Sequence, residues 1–267
     1  MSGETQDQAA AGNGVTRLAL VTCGPQLEVG LSAKTERVDS LVRLGGLAPR
    51  STLVVAAVDL LVEDAGLSAD AVDEIVVSRG PGSFTGIRAG LATASGLVAA
   101  VGARVLAYGS LLMLASRCEG VRRVWSAQPG RRGEVYAQQF EILENEPPRA
   151  LGEIEILPVV GAAERSPWIA SENLDLGGAE RVRPVRSSAE GLLRLGIILG
   201  AQGRPADEVV GLVAAGIHAL VFLRVRQSLA VIGFFPGIAG RLGAHVDQRL
   251  RQQPRRRSVV GGGLQGG

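Results

Sequence analysis

Ser78-Arg-Gly-Pro-Gly-Ser-Phe-Thr-Gly-Ile-Arg-Ala-Gly90 is the stretch on which the reading of this chain turns. It follows an apolar run, residues 72–77, that has the composition of a buried strand. Gly80 and Gly82 flank Pro81, which predicts a tight turn straight after that strand. Thr85 is a candidate helix cap, and Phe84 a candidate apolar anchor beside the turn. Gly86 admits the close approach of another backbone. From Ile87 to residue 101 the small residues Ala89, Gly90, Ala92, Ala94, Ser95 and Gly96 predict a helix that a second helix can approach closely. Glycine-rich loops that open a helix also cradle phosphates. The spacing is neither the dinucleotide fingerprint nor the Walker loop, and no lysine follows. A structural turn and a phosphate loop both stay open on the residues alone.

Working toward the N-terminus, residues 53–65 carry Val54, Val55, Val58, Leu61 and Val62 at helical spacing, and Gly66 is placed to stop that helix. Residues 17–33 read as two strands in a hairpin turning at Gly24-Pro25, with a weaker third strand at 37–44. Toward the C-terminus the expected order is a strand at 104–108, a helix at 110–117, and strands at 121–127 and 134–143. Pro147-Pro148 marks a boundary. Strands are expected at 154–160 and 173–178, and a serine-capped amphipathic helix at 188–200. Strands paired as hairpins and then joined by helices make an α/β class with mixed sheets flanked by helices.

The chain has 267 residues, 46% hydrophobic, so it can bury a substantial core. Its formal charge is +2, and Lys34 is the only lysine. Aromatic residues make up 3%, too few for a stacking platform for single-stranded nucleic acid. Cys23 and Cys118 form neither a metal framework nor a secreted disulfide scaffold, and a reducing cytoplasm is the expected setting. The polar residues 1–16 read as a disordered extension, unlike a signal peptide. No stretch of spanning length is free of charge, since the apolar runs 212–225 and 229–238 are interrupted by Arg224, Arg226 and glycines.

The run from Gly80 to Gly90 resembles the signature of the TsaB (YeaZ-like) family. Residues 18–31 resemble that family's opening strand pair, and 54–67 its first helix with the trailing alanine-glycine-leucine. Residues 97–114 and Arg131-Arg132-Gly133-Glu134-Val135-Tyr136 resemble further family segments. The resemblance covers residues 17–145 well and is thin beyond. It implies an actin-like, ribonuclease-H-like (ASKHA) fold in two lobes. On this chain the lobes would be 17–127 and a smaller 128–225, with 226–267 a divergent extension, partly disordered.

The resemblance also implies a scaffold without catalysis of its own. TsaB-like proteins pair with a TsaD-like catalytic subunit and, with a TsaE-like ATPase, serve threonylcarbamoyl transfer from the adenylate to adenosine 37 of tRNAs reading ANN codons. The signature residues are Gly80, Pro81, Gly82, Ser83, Phe84, Thr85, Gly86, Arg88 and Gly90. The first-lobe helices would form the partner surface, through Val54, Val58, Leu61, Ile87, Leu91 and Ser95, each of which reads equally as core. No cofactor or metal is implied, although the partner interface leaves room for a nucleotide.

Several positions depart from the family pattern. Val21 stands where an aspartate is common, Arg50 where a histidine is common, Gln128-Pro129 where another aspartate often lies, and Gly178 in place of an aspartate in the second-lobe turn. These changes remove groups that serve a ligand and weaken any nucleotide hydrolysis. A self-sufficient enzyme is a poor fit: His218 and His245 lack a neighbour at metal-binding spacing, Ser83 lacks the nucleophile-elbow context, and both cysteines sit in apolar segments. Arg122, Arg123, Arg131 and Arg132, with Arg255–Arg257, offer a basic edge for tRNA within a complex. A homodimer is a further alternative when the chain is alone.

Overall fold

The computed structural model describes residues 14–35, 37–46 and 49–200. Expectations for residues 1–13 and 201–267, His218 and His245 among them, lie outside the described residues.

Five strands form the first sheet: β1 (Arg17–Val21), β2 (Leu27–Ser32), β3 (Ser40–Leu44), β4 (Glu74–Ser78) and β5 (Arg104–Tyr108), in the order β3-β2-β1-β4-β5. β1 and β2 pair antiparallel, Leu20 opposite Val29, as do β2 and β3. β4 adds to β1 in parallel, Leu20 opposite Val77, and β5 to β4. Strand alternation sends the two faces of β1 to different cores. Leu18 and Leu20 join one with Val29, Leu31 and Ile75, whereas Ala19 and Val21 join another with Val76 and Leu106.

Helices α1 (Arg50–Asp64) and α2 (Phe84–Val101) cover the first of these faces. α1 holds four valines, which have modest helix propensity. Its stability comes from the stripe Val54, Ala57, Val58, Leu61 and Val62, spaced i, i+3, i+4, i+7, i+8 and buried against the sheet. Each such valine or leucine contributes about 1.5–3 kcal/mol on full burial. α2 is long and apolar enough by composition to cross a membrane, yet it carries Arg88 and packs on α1 and β4. α4 (Ser188–Leu199) covers the opposite face. Its first turn closes with a capping box between Ser187 and Glu190.

A second sheet contains β6 (Arg123–Pro129), β7 (Glu134–Glu141), β8 (Arg149–Ala150) and β10 (Trp168–Ala170) in the order β10-β6-β7-β8, with β9 (Glu155–Pro158) also on β7. The short α3 (Ser110–Ala115) lies between the sheets, packing on α4 as well as on β6, β7 and β10. One core cluster therefore runs from Val76 and Leu106 through Leu111 and Leu114 to Val124, Phe140 and Ile169. The result is mixed sheets flanked by helices, as the element order predicts.

One expected strand is displaced. The expected strand at 173–178 is an unpaired loop: Leu174 and Leu176 are buried at two-residue spacing, but Gly177 N donates to Asp175 Oδ1 (3.0 Å) instead of to a ladder. The strand that pairs with β6 is Trp168–Ala170, starting five residues earlier. β6 runs through residues 127 and 128, and the second sheet begins with it at Arg123.

Candidate functional site

The Gly80–Gly90 loop is seated on the end of β1. β4 delivers the chain to Arg79, whose N–H donates to Tyr108 O (2.9 Å). The turn then passes through Gly80 and Gly82, with φ of +90° and +143°, values that suit glycine alone. Gly80 O accepts from Ser110 N (2.9 Å), and Pro81 O accepts from the Ser110 hydroxyl. Ser83 N donates to Cys23 O (2.9 Å), and Ser83 Oγ accepts from Gly86 N (3.2 Å). Ser83 is thus the helix cap and α2 begins at Phe84, which places the expected cap Thr85 inside the first turn, exposed.

Close approach is greatest at Gly86 and Gly90. A Cβ at Gly86 would lie 2.0 Å from Thr22 O, and one at Gly90 would lie 2.3 Å from Thr22 Oγ1. The small residues of α2 that predicted a close helix neighbour therefore also serve a close strand end.

From the other side, Arg50 in the first turn of α1 donates to the carbonyls of Thr22, Gly24 and Pro25. This guanidinium, at the position where a histidine is common, satisfies three acceptors of the β1–β2 turn at once. Nothing in the sequence marks this clamp beyond a basic residue at a helix start. Arg50, Thr22 and the loop together tie α1, β1 and α2 into one unit.

Several of the loop's amides face inward. Those of Arg79, Ser83, Gly86 and Ile87 donate to protein oxygens, so four amides of the stretch are committed to the turn itself. Val21 is 2% exposed within the core, and Gly178 lies in a turn at φ +82°. These residues do not fit the metal-bound phosphates of an actin-like ATPase. The reading as a structural turn is the one that the hydrogen bonds support.

The two cysteines are buried and unpaired. Burial pushes the Cys23 thiol up, and raises that of Cys118 to about 11, against smaller opposing effects from Arg117 and Arg186. Neither is a thiolate at neutral pH.

The residues named for a partner surface divide. Val54, Val58, Leu61 and Leu91 are at most 9% exposed and face the sheet, so they build the core that holds the helices. Ile87 and Ser95 are half-buried, and Ser95 Oγ donates to Leu91 O (2.9 Å). The outward side of the pair presents Ala56, Leu60, Glu63, Phe84 and Arg88. Leu60 is 56% exposed and Phe84 71% exposed, with the Arg88 guanidinium 5.2 Å from the ring centre. Phe84 is therefore no internal anchor. Its ring is held at the surface by a cation–π contact.

Known proteins resemble this chain in sequence and in fold. The family model described as TsaD, tRNA N6-adenosine threonylcarbamoyltransferase, matches residues 32–158. The chain is 32% identical over 104 residues to the tRNA threonylcarbamoyladenosine biosynthesis protein TsaB of Escherichia coli (strain K12), covering 37% of this chain and 45% of that protein. It is 30% identical over 130 residues to the Haemophilus influenzae protein of the same name, covering 47% and 53%. The chain thus spans about half the length of the curated relatives it matches. Among solved structures, YeaZ from Pseudomonas aeruginosa is 28% identical with a TM-score of 0.57, over 73% of this chain and 97% of that one. A Pseudomonas aeruginosa protein with similarity to peptidase YeaZ is also 28% identical, with a TM-score of 0.55, over 73% and 96%.

Proposed function

We propose that this chain, which belongs to the TsaB/YeaZ-like family, is the non-catalytic partner of a TsaD-like subunit in tRNA threonylcarbamoyladenosine formation. The observation that carries the proposal is the outer face of α1 and α2. It is fixed to the sheet by the loop and by Arg50, and it holds Leu60 of α1 in solvent and Phe84 of α2 in solvent beside Arg88. Large apolar side chains on a rigid helical face suit an interface centre, where aromatic residues and arginine dominate binding. The inward residues Val54, Val58, Leu61 and Leu91 support that face from behind, with Ile87 and Ser95 at its margin.

In this reading the two sheets are the lobes of an actin-like fold, the first beginning at residue 17 and the second starting before Arg123. The chain works in the cytoplasm, with a TsaE-like ATPase and tRNA in the wider assembly. Arg122, Arg123, Arg131 and Arg132, all exposed, are the tRNA-facing candidates. The same apolar face joins two copies when the catalytic subunit is absent.

Mixing full-length chain with the TsaD-like protein of its own organism, followed by size-exclusion chromatography, tests the surface. Wild type is expected to co-elute with that protein. Leu60→Glu and Phe84→Ala should keep the wild-type circular dichroism and lose co-elution. Unchanged co-elution of both variants would contradict the proposed face.

A further inference from the structure

The second sheet ends at β8 and β9, and no other described strand pairs with β9 on its outer side. Four of the eight large apolar side chains exposed among the described residues fall in this short stretch. They are Leu151, Ile154, Ile156 and Val160, with Ile156 61% and Val160 88% exposed. A free edge that is also apolar invites another strand.

The hydrogen bonds fix what that edge offers. Val159 N donates to Gly133 O (2.9 Å), and Leu157 lies opposite Val135 in the β7–β9 pair. By alternation Leu157 and Val159 turn their backbone groups toward β7, whereas Ile156 and Pro158 turn theirs outward. Pro158 has no N–H to give. Residues 152–154 leave the ladder between β8 and β9. Ile156 is therefore the one outward position of β9 that both donates and accepts.

That pattern complements itself. When two β9 strands run antiparallel with Ile156 facing its own copy, each Ile156 N–H donates to the other Ile156 C=O. Glu155 then lies opposite Leu157, and Glu153 opposite Val159. The C-terminal end of β9 lies beside the β6–β7 hairpin tip, where Arg131 and Arg132 are exposed, and Glu153 is exposed at its other end. The two-fold thus brings the acidic end of each strand to the basic tip of the other. An axis at Glu155 would set like charges face to face, and an axis at Pro158 has no donor. Such self-complementarity is what an isologous contact between identical chains requires.

We propose that β9 pairs with β9 of a second copy of this chain, about a two-fold axis at Ile156, joining the two second sheets into one. So short a contact is weak and reversible. It uses none of the outer face of α1 and α2, so it does not depend on the partner reading. Arg122 and Arg123, at the far end of β6, stay clear of it.

Sedimentation of the full chain over rising concentration tests the pairing, in the Leu60→Glu variant so that the α1–α2 face does not contribute. The expected result is a concentration-dependent dimer, lost on adding either Ile156→Pro or Ile156→Lys. The proline removes an N–H that β7 does not use. The lysine keeps the backbone donor, and it carries the test if the proline variant fails to fold. Cross-linking reads the register. Facing Ile156 Cα atoms are about 5.5 Å apart, within disulfide reach, and those of the two Ile154 residues about 14 Å. Ile156→Cys should oxidise to a covalent dimer and Ile154→Cys should not, the native cysteines being buried. A monomer at every concentration would overturn the proposal and leave the edge to a strand of another protein. An unchanged dimer in Ile156→Lys, or equal cross-linking of the two cysteine variants, would overturn it too.

Discussion

Alanine at Gly86 and alanine at Gly90 place the same methyl group against the same residue, Thr22, but against different atoms. In an unhindered helix interior each change would gain about 0.5–1 kcal/mol over glycine. At position 90 the new Cβ falls 2.3 Å from Thr22 Oγ1 and 3.2 Å from its Cγ2, both side-chain atoms. Overpacking of this kind costs about 1–3 kcal/mol, so the net loss for Gly90→Ala is about 0–2.5 kcal/mol. At position 86 the Cβ falls 2.0 Å from the Thr22 carbonyl oxygen, which is backbone just past β1 and has no rotamer to escape into. Gly86→Ala should lose about 3 kcal/mol or more, above the usual overpacking range. Thr22→Ala removes the hydroxyl and methyl but leaves the carbonyl. Because Thr22 Oγ1 is buried without a partner, its loss is nearly free, and the single variant costs about 1 kcal/mol for the methyl. Thr22→Ala should therefore rescue Gly90→Ala, with a coupling of about 0.5–3 kcal/mol, and leave Gly86→Ala unrelieved. Urea unfolding of the two double-mutant cycles, with m-values compared, measures both couplings. Equal rescue of both glycine variants, or of neither, would refute the seating of α2 on the end of β1.

Other expectations concern the clamp, the thiols and a helix cap. Arg50→Ala should destabilise the chain by about 1.5–3 kcal/mol, because three carbonyls lose a charged donor, and Arg50→Lys should recover only part of this, as read from urea midpoints. Cys23 and Cys118 should stay silent to a thiol reagent in native buffer and react together on unfolding. Reaction of either at neutral pH without unfolding would contradict their burial. Burial alone would raise the Glu190 carboxyl, but its hydrogen bonds with Ser187 and the nearby Arg186 outweigh this and hold it below the ordinary 4.5. A lowered carboxyl stabilises the fold above that value and loses the contribution as pH falls through its native one. Glu190→Gln should thus flatten the acid limb of the stability curve below about pH 4.5, as followed by unfolding across acidic buffers.

The first sheet was legible because its central strands are short apolar runs buried on both faces, and because glycine and proline mark the turn at Gly24-Pro25 and the loop at Gly80–Gly82. β10 was not, since Trp168-Ile-Ala is too short to show a period, while Leu174 and Leu176 imitate one in a loop. The helix pair was legible as two helices but not as two faces. Leu60, Leu61 and Val62 are consecutive, so apolarity extends past the stripe that meets the sheet: helical spacing picks out Leu61 for that stripe and leaves the exposed Leu60 unmarked. Ser83 and Thr85 are both good caps by type. Only the seat of Ser83 N on Cys23 O selects the first. The Arg50 clamp joins positions 28, 26 and 25 residues apart, beyond the reach of any local pattern.

The most direct test of the central claim is reconstitution of threonylcarbamoyl transfer. The TsaD-like protein, the TsaE-like ATPase and the adenylate-forming enzyme of the same organism are supplied with labelled threonine, bicarbonate, ATP and tRNA, with and without this chain. The account predicts label in tRNA only when the chain is present, and its loss with the Leu60→Glu variant. Equal incorporation with and without the chain would contradict the proposed role.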